Sequence, residues 1–179
     1  RLNSNSPDVD LSYVINHYKD RGCRGVGEIT ANLPFDDPRV WNLFHHAEKC
    51  QMPLTFHIGP QVGGCYGFVD EPGLPRLEKS LGEFTDLIFL AHSQPFWSHI
   101  SADVTGENWA GYPTGPVVEE GRLPELLRRY HNLHGDLSAV SGHNAVSRDP
   151  DFGYAFLTEF QDQLLFGTDA YKTEQIDGL

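Results

Sequence analysis

Residues 53–59 read Pro-Leu-Thr-Phe-His-Ile-Gly, an apolar run of strand length with His57 close to its end. The same arrangement occurs twice more, since residues 87–91 are apolar and lead into His92, and residues 164–168 lead into Asp169. Continuous apolar runs of this length are typical of strands that are buried on both faces of a parallel sheet. We therefore expect each strand to present a polar side chain where it ends.

Segments with helical periodicity separate these strands. Asp37-Pro38 and Asp149-Pro150 each place proline directly after an N-cap residue, the order expected at the start of a helix. Two further strands, residues 25–30 and the weaker segment 133–139, complete about five strand–helix alternations. The polar residues expected at the strand ends are Glu28, His57, His92, Asp136 and Asp169.

The connections between these elements differ in length. Helix-to-strand connections are short, whereas the strand-to-helix segments 59–73 and 93–121 are long and contain many glycine, aromatic and proline residues. Long loops gathered on one side of a compact fold usually carry function. These two loops are expected on the side of the sheet where the strands end, next to the polar residues.

The pattern predicts a single α/β domain over residues 1–179. About five alternations fit either a doubly wound sheet or part of a (β/α)8 TIM barrel, which takes about 250 residues when complete. A doubly wound, flavodoxin-like protein needs a phosphate-binding glycine loop that opens a helix, and residues 63–67, Gly-Gly-Cys-Tyr-Gly, lack that spacing. We therefore favour a TIM barrel, of which the chain covers about five of the eight βα units.

Charge and composition restrict the partners and the compartment. The chain has a formal net charge of -12 at pH 7, and so acidic a surface repels nucleic acid. The longest wholly apolar run is about five residues, against roughly 20 for a membrane-spanning helix. Cys23, Cys50 and Cys65 have no paired spacing, which favours the reducing cytoplasm over a disulfide-bonded protein.

Imidazole and carboxylate groups at neighbouring strand ends are ligands that suit zinc and similar divalent ions. We expect one such ion, with zinc as the best-suited metal, held by Glu28, His57 and Asp169. A bound divalent ion lowers the pKa of its water to about 7 and polarises a substrate carbonyl. Asp169 is also expected to take the proton of that water, and His92 to hold the substrate oxygen as charge develops on it.

Each of these residues also has a structural interpretation. A histidine at a strand end is often only hydrogen-bonded, Asp169 is able to cap a turn, and Glu28 is able to pair with a basic side chain. Asp136 lies early in its strand and is expected to be structural. Trp97 and His99, in the second long loop, are expected to contact a small-molecule substrate.

Residues 55–59, Leu90-Ala91-His92 with nearby Pro95, and residues 165–169 (Leu-Phe-Gly-Thr-Asp) together resemble the amidohydrolase superfamily. They are most similar to the amidohydrolase-related branch that includes aminocarboxymuconate-semialdehyde decarboxylase. The resemblance covers about residues 22–171, and its sharpest piece is the Phe-Gly-Thr-Asp sequence. It implies a distorted eight-stranded TIM barrel of the metal-dependent hydrolase type, with a divalent metal that is usually zinc.

The resemblance also implies roles for individual residues. His57 resembles the metal ligand of the fifth strand, His92 the substrate-orienting histidine of the sixth, and Asp169 the eighth-strand aspartate that contacts metal and moves protons. Gly27-Glu28-Ile29 is similar to the fourth-strand Gly-Glu-Ile of TatD-like relatives, in which the glutamate binds metal.

One departure from the family pattern concerns its first strand, which carries a His-x-His pair of metal ligands that this sequence does not contain. Under the family interpretation, the strands that carry this pair precede Arg1. The expected activity is that of a metal-dependent hydrolase acting on a small-molecule amide, ester or lactone. Without those strands the metal site of this chain would be incomplete, and an inactive fragment is one of the expectations. The alternatives are a non-oxidative decarboxylase of the same superfamily and a non-catalytic barrel fragment that binds a small molecule; self-association into a homo-oligomer is a further expectation.

Overall fold

The computed structural model describes residues 6–170. Its strands are β1 (Val26–Ile29), β2 (Leu54–Gly59), β3 (Phe68–Val69), β4 (Phe89–His92), β5 (Leu133–Asp136) and β6 (Leu164–Leu165). Its helices are α1 (Ser12–Lys19), α2 (Pro38–Lys49), α3 (Pro75–Glu83), α4 (Gln94–Ser98), α5 (Arg122–Arg129), α6 (Ala139–Ser147) and α7 (Pro150–Glu159). Within the described residues, no helix is both long enough and apolar enough to cross a membrane.

The six strands form one parallel sheet, which confirms the α/β class. Its order is β1-β2-β4-β5-β6, and the short strand β3 pairs with the end of β2. Apart from β3, each new strand along the chain is therefore added beside the previous one. A doubly wound sheet reverses its strand order at a switch point, and the order of the described strands contains no such reversal.

Two helices begin as the sequence predicts. The Asp37 side chain accepts a hydrogen bond from the Arg39 backbone N–H at 2.9 Å, and Pro38 occupies the first turn of α2. The Asp149 side chain accepts from the Phe152 N–H at 3.3 Å, and Pro150 begins α7. Each aspartate satisfies a backbone donor that has no partner inside its helix.

The two faces of the sheet differ in character because successive side chains of a strand point to opposite sides. Leu54, Phe56 and Ile58 of β2 are fully buried and belong to one core cluster with Phe89 of β4 and Leu133 of β5. Residues from helices α2 to α7 also belong to that cluster. The opposite face carries the polar residues, so the strand alternation separates the packed core from the candidate site.

Three elements were not predicted from the sequence. Strand β3 lies inside the segment 59–73, and helix α4 lies inside the segment 93–121, both of which were expected to be irregular. Helix α6 begins at Ala139, where the sequence predicted the end of a strand. The strand ends early because the Asp136 side chain accepts the Ser138 N–H at 2.9 Å and turns the chain. Strand β6 is correspondingly short, since its partner β5 ends at Asp136, which pairs with Leu165.

Asn132 connects helix α3 to the sheet from a buried position. Its Nδ2 donates to the carbonyl oxygens of Phe84, at 2.9 Å, and of Leu81, at 3.3 Å. Its own backbone carbonyl accepts the N–H of Phe89 at 2.8 Å. The side chain therefore satisfies carbonyl groups at the end of α3 that have little access to water.

We predict that Asn132→Leu lowers the free energy of unfolding by about 2 kcal/mol, because two buried carbonyl groups lose their donor. Asn42→Leu is the matched control, since the Asn42 amide also donates to a backbone carbonyl, that of Val9 at 2.8 Å, but at the surface. Water replaces that donor, and the expected loss is below about 0.5 kcal/mol. Urea denaturation measures both values, and equal losses would contradict the assignment.

Candidate functional site

The register between β2 and β4 places two histidines side by side. His57 pairs with His92 across the parallel strands, and their ring centres are 5.7 Å apart. Both side chains are buried. The Ile58 N–H donates to the Ser93 hydroxyl oxygen at 3.2 Å, which joins the two strands directly after the histidines. The structure therefore brings these two expected site residues together at the ends of their strands.

Glu28 reaches the same place from β1, the neighbour of β2 on its other side. Its Oε1 lies 3.0 Å from His57 Nδ1. One donor atom from each of Glu28, His57 and His92 lies within 4.8 Å of the other two. Ligand bonds to zinc are about 2.0–2.2 Å long for nitrogen and oxygen, so a small inward movement would bring all three donors to one ion. The donor set, two imidazoles and a carboxylate, fits zinc or a similar divalent ion.

Asp169 lies at the edge of this cluster. Its Oδ2 is 3.9 Å from His92 Nε2, and more than half of its side chain is exposed. Among residues 6–170, the group of potential metal ligands comprises Glu28, His57 and His92 without Asp169. The structure thus brings Asp169 to the expected end of the sheet, beside the histidine rather than among the three ligands.

Asp136 and Ser138 form a second contact with His92, which sequence reasoning missed. The Ser138 hydroxyl lies 3.0 Å from His92 Nδ1 and donates to Asp136 Oδ2 at 2.9 Å. Asp136 Oδ2 is itself 3.6 Å from His92 Nδ1. The sequence signal was available, since Asp-x-Ser after a strand is typical of a turn in which the aspartate accepts the serine N–H. Asp136 was expected to be structural, and the structure places it beside the candidate site.

The two histidines have opposite pKa shifts. Burial lowers the pKa of His57, and the attraction of Glu28 does not fully offset it. Burial also lowers the pKa of His92, but Asp136, with weaker contributions from Glu28 and Asp169, outweighs burial and leaves a net rise. Burial raises the pKa of Asp136, but its bonds with His92 and Ser138 lower it overall. His57 therefore favours the neutral imidazole, whereas His92 is surrounded by carboxylates. Such an environment attracts a cation.

A loop covers His57 from one side. The Tyr66 ring lies 4.3 Å from the His57 ring, measured between centres, and is partly exposed. Gly67 has a φ of +100°, and a Cβ there would lie 2.7 Å from the His57 carbonyl oxygen. A residue with a side chain does not fit so close to the strand, so Gly67 allows the loop to bring Tyr66 over the histidine.

A cavity of about 350 Å³ lies next to the cluster, between the ends of β5 and β6. Asp136, Ser138 and Asp169 contribute its polar side. Leu90, Leu165 and Phe166 contribute apolar lining, and Gly167 also lines the cavity. A small molecule with one polar and one apolar part matches this lining.

Trp97 was expected to contact a substrate, but it does not line this cavity and belongs to the core. Its side chain is 1% exposed, and its Nε1 donates to the Asp136 carbonyl oxygen at 3.0 Å. The reason lies in β5, where a Cβ at Gly135 would meet the Trp97 ring at 2.9 Å. Glycine at this position opens the space that the indole fills, and the expected substrate contact of Trp97 is corrected to a structural role.

His99 is likewise structural rather than a substrate contact. Its ring is buried, and both ring nitrogens are used by the backbone. Nδ1 donates to the Pro95 carbonyl oxygen at 2.6 Å, and Nε2 accepts the Gly73 N–H at 2.8 Å. Neither nitrogen is available to a substrate without breaking one of these bonds.

Comparisons of the chain with protein-family models, curated proteins and solved structures found no match.

We predict that His99 makes stability depend on pH. Burial lowers the pKa of His99, so the unfolded chain takes up this proton first as pH falls below the ordinary value of about 6.5. The stabilisation that neutral His99 gives to the folded protein is therefore present above that pH and declines below it. His99→Gln, which keeps a donor and an acceptor but does not titrate, is expected to cost about 1–2 kcal/mol at pH 8 and to flatten the decline between about pH 7 and pH 5.

The measurement is urea denaturation at several pH values. His131→Gln makes the same substitution at an exposed position and serves as the control for the substitution itself. An equally steep decline in His99→Gln and in the wild type would show that His99 does not contribute.

Proposed function

We propose that the protein binds one divalent metal ion, with zinc as the best-suited metal, at the ends of strands β1, β2 and β4. The observation that carries the proposal is the convergence of Glu28, His57 and His92, whose donor atoms lie within 4.8 Å of one another. Three protein ligands with one position left open are typical of a catalytic zinc site. Glu28 leaves the site accessible because its side chain is partly exposed.

We further propose that the protein is a metal-dependent hydrolase of the amidohydrolase type. When bound, such an ion would polarise the substrate carbonyl and lower the pKa of a water molecule. Asp169, partly exposed and 3.9 Å from His92 Nε2, is placed to accept a proton at its Oδ2. Tyr66 restricts access to His57 from the side of the first long loop.

The proposed substrate is a small molecule with an amide, ester or lactone group. The cavity beside the cluster supports this class, since its lining includes the apolar side chains of Leu90 and Phe166 and the carboxylates of Asp136 and Asp169. A carbonyl held near His92 would then have an apolar surface for the remainder of the molecule. The net charge of -12 disfavours nucleic acid as a substrate.

The proposed architecture is a segment of a (β/α)8 barrel. The sequential strand order supports it, because a barrel adds each strand beside the last. Apolar surface also lies at both margins of the sheet. Val26 and Ile29 of β1 line an open apolar cavity of about 360 Å³ beneath α1, and Phe166 after β6 is 84% exposed. Neighbouring strands of a barrel would cover such surface.

The free cysteines support the proposed location. Cys23 is exposed, Cys50 is buried, and Cys65 is intermediate, and all three are unpaired. We propose the cytoplasm, where thiols stay reduced.

We predict that the protein binds about one zinc ion per chain and that His57→Ala weakens binding by more than about 100-fold, because a direct ligand is lost. His134→Ala is the matched control, since His134 lies on the same face of the sheet but pairs with Leu90, away from the cluster. It is expected to bind zinc as the wild type does. Isothermal titration calorimetry measures both, and equal affinities of the two variants would contradict the proposed site.

A second measurement separates binding from catalysis. The zinc-loaded protein is assayed against a panel of small esters, lactones and amides, with carbon dioxide release from carboxylic acids measured in parallel. Hydrolysis that is lost in Asp169→Asn, while zinc binding is kept, supports the hydrolase. Carbon dioxide release instead would identify the decarboxylase alternative, and zinc binding without turnover would leave a binding protein.

A further inference from the structure

The two nitrogens of the His92 ring have different surroundings. Nε2 faces Asp169, whose Oδ2 is 3.9 Å away. Nδ1 faces the Ser138 hydroxyl at 3.0 Å, and Asp136 Oδ2 lies beside that hydroxyl, 3.6 Å from Nδ1. The His92 and Ser138 side chains are buried, so these contacts have little competition from water. The protonated nitrogen of His92 is therefore decided by the hydrogen bonds among His92, Ser138 and Asp136.

Ser138 has one hydroxyl proton and two possible acceptors. Its oxygen lies 2.9 Å from Asp136 Oδ2 and 3.0 Å from His92 Nδ1. An ionised carboxylate only accepts, so without the hydroxyl proton two oxygen lone pairs would face each other at 2.9 Å. The hydroxyl proton therefore goes to Asp136. The Ser138 oxygen then accepts, and His92 Nδ1 is the donor.

We propose that Asp136 is a positioning residue that acts through Ser138 to hold His92 as the neutral Nδ1–H tautomer. Nε2 is thereby left unprotonated on the side of Asp169, in the form that a metal ligand requires. The assignment of the tautomer stands on its own contacts, and only its consequence for metal affinity rests on the proposed function.

Asp136 is itself held in place from two sides. Its Oδ1 accepts the Ser138 N–H at 2.9 Å, and its carbonyl oxygen accepts from Trp97 Nε1 at 3.0 Å. The carboxylate therefore has a fixed orientation before any ligand arrives. This gives the buried Trp97 a part in the arrangement, because it fixes the strand end from which Asp136 projects.

The tautomer is measured by long-range ¹H–¹⁵N NMR of histidine-labelled, metal-free protein, at a pH where His92 is neutral. The wild type is expected to show Nδ1 protonated and Nε2 bare. Asp136→Asn keeps the shape but removes the obligate acceptor, and it is expected to give a mixture of tautomers or the Nε2–H form. Its zinc affinity is expected to fall by about 10- to 100-fold, the usual effect of losing a group that orients a ligand. Asp103→Asn, at an exposed loop position, is the control and is expected to match the wild type in both measurements.

A wild-type spectrum with Nε2 protonated, or an unchanged Nδ1–H form in Asp136→Asn, would overturn the inference. If Asp136→Asn does not fold, the wild-type spectrum alone decides. Absence of zinc binding in a wild type with the expected tautomer would instead count against the proposed function and leave the role of Asp136 intact.

Discussion

The alignment of β2 with β4 is the constraint on which the site depends. Leu54 pairs with Phe89 and His57 pairs with His92, so apolar residues share one face and the histidines share the other. Side chains alternate with a period of two, and a slip of one residue between the strands would move a histidine against the packed core. The cost of burying that imidazole without a partner, together with the loss of apolar burial, fixes the register. The same packing that forms the core therefore brings the two imidazoles together.

The acidic residues then make the two histidines different. Both are buried, which by itself disfavours the charged imidazole. The main carboxylate acting on His57 is Glu28. The main carboxylate acting on His92 is Asp136, and Glu28 and Asp169 contribute less to its pKa. Burial therefore lowers the pKa of His57 overall, whereas the carboxylates raise the pKa of His92 overall. The difference arises from position in the sheet, because His92 lies on the central strand β4, next to the strand that delivers Asp136.

The sequence predicts the strands that continuous apolar runs define, and it predicts that Glu28, His57, His92 and Asp169 lie together where those strands end. The structure brings donor atoms of Glu28, His57 and His92 within 4.8 Å of one another and leaves Asp169 beside His92. Two contacts of the site were not predictable from the sequence, and each has a physical reason. Trp97 lies in a segment that was expected to be a loop rich in glycine, aromatic and proline residues, and its burial depends on the space left by Gly135, 38 positions away in strand β5. The contact between Ser138 and His92 depends on where β5 stops and its chain turns. Such distances follow from packing between distant segments, which local periodicity does not encode.

The origin of the three donors in three adjacent strands has a thermodynamic consequence for the proposed metal site. Glu28, His57 and His92 are far apart along the chain, and they come together only when β1, β2 and β4 have paired. The unfolded chain therefore has no comparable site, and a metal that binds these residues would stabilise the folded protein in proportion to the logarithm of its concentration relative to its Kd. Strand β1 would gain most, because in the described residues it is an edge strand held to the sheet by β2 alone. The direct bond between Glu28 and His57 already joins β1 to β2 at this point, and a shared metal would extend that connection to β4.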